Sequence, residues 1–407
     1  MVQEWGGRSM VEIKELTVES KDGKSRLSAD IVVDGREGRP LWFEVDEKYG
    51  RYLCDERSDA FVIGLLHYAL RKGHGIVSEV PMTRRLYEQL TDQFLPAFSK
   101  INGIKPIEIS VPLMNEIAHP DNEHHVGTGV SCGVDSLHVF AAHKDITHGC
   151  VWNMHGVTSV DETAETRAMG WHNLKKQAKS FTDFIGCGLI VGDTNYDRGC
   201  LPDLAFDGSI TFGNLFCIFA MQKFWSRFYI ASGYDVGGFN LAAGVAADPA
   251  HYEYLLLSFV SLGSLELRLD GVACNRCEKV RHLLTYEPAK KFLSVCWQIN
   301  ENNENCTHHC PKCMRTMLEL AALDAVDEFK DRFDVQSWYD HQEWFIAELY
   351  RGLIQHDPFA REIAPHFKNK KIPFPVKVKA VAIVMRKSIR RCFVLVGQTE
   401  HSARIEI

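Results

Sequence analysis

The sequence predicts an α/β fold: a parallel sheet with helices on both faces, an N-terminal α+β domain ahead of it, and a cysteine-rich segment behind. Three observations lead there. From about residue 125 onward, short apolar runs alternate with longer helical stretches, the βαβ order that builds parallel sheets. Before that point, alternating apolar and polar runs are punctuated by Asp22-Gly23 and Asp34-Gly35, both hairpin turn signals. Six of the thirteen cysteines fall between Cys274 and Cys313. A local cluster of that kind points to a metal before a disulfide.

In chain order, VEIKELTVES, RLSADIVVD and PLWFEVD (residues 11–46) read as a small antiparallel sheet. Residues 59–72 and 83–100 carry helical apolar spacing, and IEISVPL at 107–113 reads as a strand. Residues 1–122 form the expected α+β domain, and AHPDNEHH at 118–125 is a polar, proline-containing linker. The second domain, 123–330, opens on the strand HVGTGVS and a helix from Asp135. It continues with the strand GCVWNM, a helix near 161–183, the strand GLIVGD, a helix near 214–226 and the strand FYIASG. Helical patterns dominate from 313 to about 367. The region 331–407 ends on the alternating runs VKVKAVAIVM and RCFVLVG, the first of which reads as an edge strand with Lys377 and Lys379 on its wet face. No internal repeat interrupts this order.

Length and charge narrow the function. A chain of 407 residues exceeds one ordinary core and implies two or three domains. With 45% hydrophobic and 24% charged residues the balance is that of a globular protein. A net charge of -7 makes no case for a general nucleic-acid binder. No apolar run approaches the ~18 residues of a membrane helix, and MVQEWGGRSMVE lacks the apolar core of a signal peptide. The expected location is the cytoplasm, with no membrane partner.

The strongest chemical motif is GTGVSCGVDSL at 127–137, an apolar strand running into Ser131-Cys132-Gly133-Val134-Asp135-Ser136 where a helix begins. A helix N-terminus presents N–H groups and a partial positive charge, which suit phosphate. Gly133 lets backbone approach a ligand, Ser131 and Ser136 offer hydroxyls, and Asp135 can cap the helix or help hold Mg2+. An ordinary strand-to-helix turn with a serine cap is the plain alternative, but the motif's place on the first strand of a βαβ series favours a ligand. The later strand ends carry Asn153, Gly192 and Gly233, polar or glycine positions suited to lining the same crevice.

Residues 131–136 resemble the SGGxDS loop of the PP-loop superfamily of ATP pyrophosphatases, with Cys132 standing where that family has glycine. The resemblance implies a PP-loop/HUP-like sheet and ATP with Mg2+ as cofactors. It makes residues 131–136 the pyrophosphate cradle, with Asp135 and Ser136 as catalytic positions.

The cysteines offer two tetrahedral sets. Spacing alone leans to the double CxxC of Cys274, Cys277, Cys310 and Cys313. The other set is Cys296, Cys306, Cys310 and Cys313. The run SVCWQINENNENCTHHCPKCMRTMLEL is similar to the zinc segment of the 7-cyano-7-deazaguanine synthase (QueC-like) family, one residue longer in the first gap of its cluster, and this resemblance implies the second set. Four thiolates leave no open position on Zn2+, so the site reads as structural. CNRCEKVRHLL then reads as a helix opening.

The implied activity is adenylation of a small carboxylate, a deazaguanine by the resemblance, with pyrophosphate release and formation of an amide, nitrile or conjugate. Multidomain relatives of this kind occur in anti-phage operons. Two other readings stay open: sulfur transfer to tRNA, which needs a reactive thiol among Cys132, Cys187 and Cys200, and a non-catalytic nucleotide-binding module. A homo-oligomer is also open. Between Phe367 and Thr399 stand nine Lys or Arg and no Asp or Glu, a block suited to an anionic protein partner ahead of nucleic acid.

Overall fold

The computed structural model describes residues 9–116, 124–154, 163–196, 206–297 and 304–386, of which 206–209, at the start of the helix Phe206–Ala220, by backbone only. In chain order the strands are β1 (Met10–Lys21), β2 (Lys24–Val33), β3 (Arg36–Glu37), β4 (Leu41–Asp46), β5 (Gly75–Ser78), β6 (Met82–Thr83), β7 (Ile109–Ser110), β8 (Leu113–Met114), β9 (His125–Gly129), β10 (His148–Asn153), β11 (Gly188–Thr194), β12 (Trp225–Ala231) and β13 (Glu266–Asp270). Among the described residues eleven of them form one sheet, in the order β13-β12-β9-β10-β11-β4-β2-β1-β5-β7 with β3 on β2, while β6 and β8 pair separately.

Both hairpin signals do what their chemistry predicts. Asp22 and Gly23 lie at φ 51° and 76°, and Asp34 and Gly35 at 51° and 75°. Positive φ at both central residues matches the right-handed twist of the flanking strands. Buried residues alternate along β4 (Leu41, Phe43, Val45), as a half-buried strand requires.

The five strands β13, β12, β9, β10 and β11 run parallel. Counting β9 as the first, their order is 3-2-1-4-5, the doubly wound order. Helices cover both faces, because successive side chains of a strand point to opposite sides. A Cβ at Gly149 would collide with Val130 and with Thr182 of the helix Ala164–Ile185. On the opposite face Cys150 and Trp152 join the core that holds Phe216 of the helix Phe206–Ala220. Phe43 packs edge-on against both Trp152 (5.5 Å) and Phe216 (6.5 Å).

Three expectations change. The N-terminal strands do not form a sheet of their own: β4 pairs antiparallel with β11, so residues 10–46 extend the parallel sheet across the boundary expected at 122. By its contacts the chain divides instead into one unit of Met1–Ser131 with Asp135–Ala273 and another of Cys132–Val134 with Cys274–Ile407. The helix expected near 214–226 runs from Phe206 to Ala220, and β12 already begins at Trp225. The run at 374–386 is a helix, not an edge strand. Its residues are apolar at so many positions that both periods fit. Buried Ala380 with partly buried Val376 and Ile383 marks the packed face at helical spacing, and Pro375 in the first turn suits a helix start. The run RCFVLVG and most of the expected linker (117–123) lie outside the described residues.

In the second unit the helices Pro311–Ala322, Gln342–Ile354 and Pro358–Phe367 confirm the helical pattern of 313–367. The helix Arg276–Leu284 opens where CNRCEKVRHLL predicts it, with a reciprocal capping box between Asn275 and Glu278. No helix among the described residues is long and apolar enough to cross a membrane.

Candidate functional site: a strand-to-helix turn and a four-cysteine centre

β9 ends at Gly129, and the helix Val134–Ala142 begins five residues later. Ser136 closes the turn between them. Its hydroxyl donates to the Gly129 carbonyl (2.9 Å) and accepts from the Ser131 N–H (3.2 Å). Ser136 is buried and Ser131 exposed, while Gly133 and Asp135 are partly exposed. Cys132 stands at φ 54°, in the left-handed region. A side chain there costs about 1–2 kcal/mol that glycine avoids. The backbone at Cys132 therefore has a conformation that glycine adopts without strain. Cys132 tolerates it within a packed site: it is 1% exposed, and its carbonyl accepts from the Ser294 N–H at 2.9 Å.

The turn emerges at the carboxyl end of β9, beside β12, with Phe228 opposite Gly127 and Tyr229 opposite Thr128. In a 3-2-1-4-5 sheet this is the switch point, where open α/β sheets place their ligand crevice. Gly233 follows β12 on that side and has open space where a Cβ would project. Asn153 ends β10, opposite Asp193. Gly192 is placed differently from its expected role: a Cβ there would press on Phe43 (2.6 Å) and Trp152 (2.7 Å), so its glycine serves core packing. The end of β11 is also committed to β4. The Asn195 side chain accepts from the Trp42 N–H (2.9 Å) and donates to the Pro40 carbonyl (2.6 Å).

Asp270, at the end of β13, was not singled out in the sequence. It binds His143 Nε2 (2.7 Å) and lies 3.5 Å from His138 Nδ1, so one carboxylate ties the middle of the turn's helix and the residue after it to the sheet. Burial would raise its pKa, but the hydrogen bonds from the two histidines prevail and hold it below the ordinary value. His143 also stacks on Tyr229, ring centroids 3.9 Å apart. No local spacing announces this contact, since His143 and Asp270 are 127 residues apart.

Of the three candidate thiols, Cys132 and Cys187 are poor nucleophiles. Burial pushes Cys132 up to about 12 and raises Cys187, whereas a sulfur-transfer cysteine needs a lowered pKa. Cys200 lies outside the described residues.

The second candidate is a metal centre. Cys296, Cys306, Cys310 and Cys313 place their sulfurs within 4.8 Å of one another and could hold a metal ion. A tetrahedral Zn2+ with bonds of ~2.3 Å sets its sulfurs ~3.8 Å apart. The Cys296 and Cys310 sulfurs are 3.9 Å apart, so the spacing fits. Cys310 is the N-cap of the helix Pro311–Ala322, and its sulfur accepts from the Cys313 N–H at 3.4 Å. Donation from the Cys313 thiol and backbone, against burial, lowers Cys310 to about 5. Burial and the neighbouring sulfurs push Cys306 up to about 12, and donation to Cys310 with burial raises Cys313. Four cysteine sulfurs this close could hold a metal ion such as Zn2+, whose binding would release their remaining thiol protons.

Two residues shape this centre. Between Cys306 and Cys310 the chain turns at Thr307, which takes φ 56°. Its hydroxyl accepts from the Asp334 N–H at 3.0 Å. Asn305 is buried and fully used: Oδ1 accepts from the Val295 N–H (2.9 Å) and the Cys296 N–H (3.1 Å), and Nδ2 donates to the Leu293 and Arg332 carbonyls (3.0 Å each). It orients Cys296 from behind. The double CxxC is not assembled. Cys277 is fully buried, and burial with Glu319 and Glu362 nearby pushes its thiol up to about 12.

Searches against protein-family models, curated proteins and solved structures return no match to this chain.

Proposed function

We propose that this chain is an ATP-dependent enzyme that activates a carboxylate by adenylation. The observation that supports this best is the turn at 131–136. It joins a strand to a helix at the switch point of a 3-2-1-4-5 sheet, with a left-handed residue and a closing serine hydroxyl. The helix start and the exposed Ser131 suit a pyrophosphate. Asp135, half-exposed on the first turn, would hold Mg2+, which neutralises charge on the departing pyrophosphate. A carboxylate oxygen attacks the α-phosphorus, and the bond to pyrophosphate breaks with its electron pair leaving on that group. The nitrogen of an amine or ammonia then attacks the acyl carbon, AMP leaves with the C–O electron pair and a proton passes to solvent, giving an amide or conjugate. A nitrile takes a second ATP, which adenylates the amide oxygen so that it departs on AMP as two protons are lost. The deazaguanine class of carboxylate is the substrate the zinc-segment resemblance favours. The four-cysteine centre holds a structural Zn2+ in this reading. Sulfur transfer is the weaker alternative because Cys132 and Cys187 are held as thiols.

Carboxylate-dependent ATP–pyrophosphate exchange tests the proposal. Asp135→Ala and Ser136→Ala are each expected to lower exchange by about 100-fold or more, with circular dichroism confirming that the fold survives. Wild-type exchange in a folded Asp135→Ala variant rejects the assignment.

A further inference from the structure

The last described helix, 374–386, presents an exposed apolar stripe. Phe374, Val378, Val381 and Met385 recur at intervals of four, three and four residues, and are 76%, 52%, 42% and 61% exposed. That interval is the seam spacing by which one helix packs on another. The stripe borders a groove of about 400 Å³ whose far wall is the helix Gln342–Ile354. Tyr350 and Leu353 form a half-buried floor there, and Ile354, 66% exposed, forms the opposite rim.

Charge selects among occupants. Lys377, Lys379 and Arg386 flank the stripe on its own helix, and no Asp or Glu occurs from 368 to 399. A second copy docking helix to helix would set these cations against their equals, which costs affinity. A bilayer takes the face of a helix that stands clear of its protein. Here part of the apolar surface is recessed between two helices, as in sites that receive a helix in a groove.

We infer that this groove is a docking site for an amphipathic helix of a partner protein, with apolar anchors on one face and Asp or Glu along its flanks. The anchors enter between Ile354 and Met385, and the acidic flanks meet Lys377, Lys379 and Arg386. The site is independent of the proposed adenylation.

The probe is a synthetic peptide of about 20 residues, long enough to turn helical, with leucine at helical spacing and glutamate elsewhere. Fluorescence anisotropy with the full chain is expected to show saturable binding that weakens as salt rises from about 50 to 300 mM. Ile354→Glu and Met385→Glu, both at exposed positions, should each weaken it about tenfold or more. The triple change of Lys377, Lys379 and Arg386 to Glu should abolish it. Three results overturn the inference: equal binding of a peptide with lysine in place of glutamate; retention on phosphatidylserine vesicles without peptide binding; or a dimer in sedimentation that Met385→Glu dissociates and the peptide does not.

Discussion

The turn at 131–136 and the four-cysteine centre are built on opposite principles. The turn is made of backbone: one left-handed residue, one serine hydroxyl and the start of a helix, set in place by strands more than 90 residues apart in sequence, as the Thr128 hydroxyl bond to the Tyr229 carbonyl shows (101 residues, 2.9 Å). The cysteine centre is made of side chains from a span of 18 residues, Cys296 to Cys313, oriented by Asn305 and a helix N-cap. A site of the first kind persists as long as its sheet does. A site of the second kind gathers thiols that lose their protons to a bound metal, so its state follows metal supply and pH.

The largest expected effect breaks this comparison on the cysteine side. Purified protein should carry about one Zn2+ per chain. Cys310→Ser and Cys296→Ser should each lose the metal and lower the melting temperature by about 10 °C or more, since structural zinc contributes folding free energy. Cys274→Ser should retain both. Metal analysis and calorimetry on the three variants decide it, and a metal-free Cys274→Ser with metal-bound Cys296→Ser would restore the double CxxC.

A smaller effect sharpens the backbone side. Cys132→Val puts a β-branched residue in the left-handed region and should destabilise by about 2 kcal/mol or more. Cys132→Gly relieves the strain but empties the packed thiol site, and should lie within about 1 kcal/mol of wild type. Denaturant unfolding measures both, and equal losses would show that volume, not backbone conformation, sets the cost.

The smallest effect concerns Asp270. A carboxylate held below its ordinary pKa stabilises the fold fully above the unfolded value of about 4, and loses that contribution as pH falls through the folded one. Asp270→Asn should therefore be less stable than wild type at neutral pH, with the difference closing below about pH 4. A gap in melting temperature that stays constant from pH 7 to pH 3 would remove Asp270 as the titrating tie.

These contrasts explain what could be read in advance. The parallel strands, the hairpin turns and the helix at 276–284 follow from local chemistry: periodicity, Asp-Gly pairs and a capping box. For the cysteines, spacing alone leaned to the double CxxC and only the resemblance pointed to the four sulfurs that lie together, because ligand choice depends on which thiols meet in space. Local pattern could not reveal that β4 closes the edge of β11, that Gly192 serves Phe43, or that Asp270 holds two histidines. Each joins residues far apart in sequence. The helix at 374–386 was hidden for a different reason, an apolar content high enough to satisfy two periods at once.

The pairing of β4 with β11 also sets a schedule for synthesis. Trp42 and Asn195, which meet across it, are 153 residues apart. At roughly 5–20 residues per second, a ribosome needs on the order of 10–30 s to deliver the second after the first. For that interval the outer edge of β4, with Leu41, Phe43 and Val45 beside it, waits without its neighbour. An emerging chain of this kind is a natural client for chaperones that bind apolar strands, and slowing translation before residue 188 should lengthen its dependence on them.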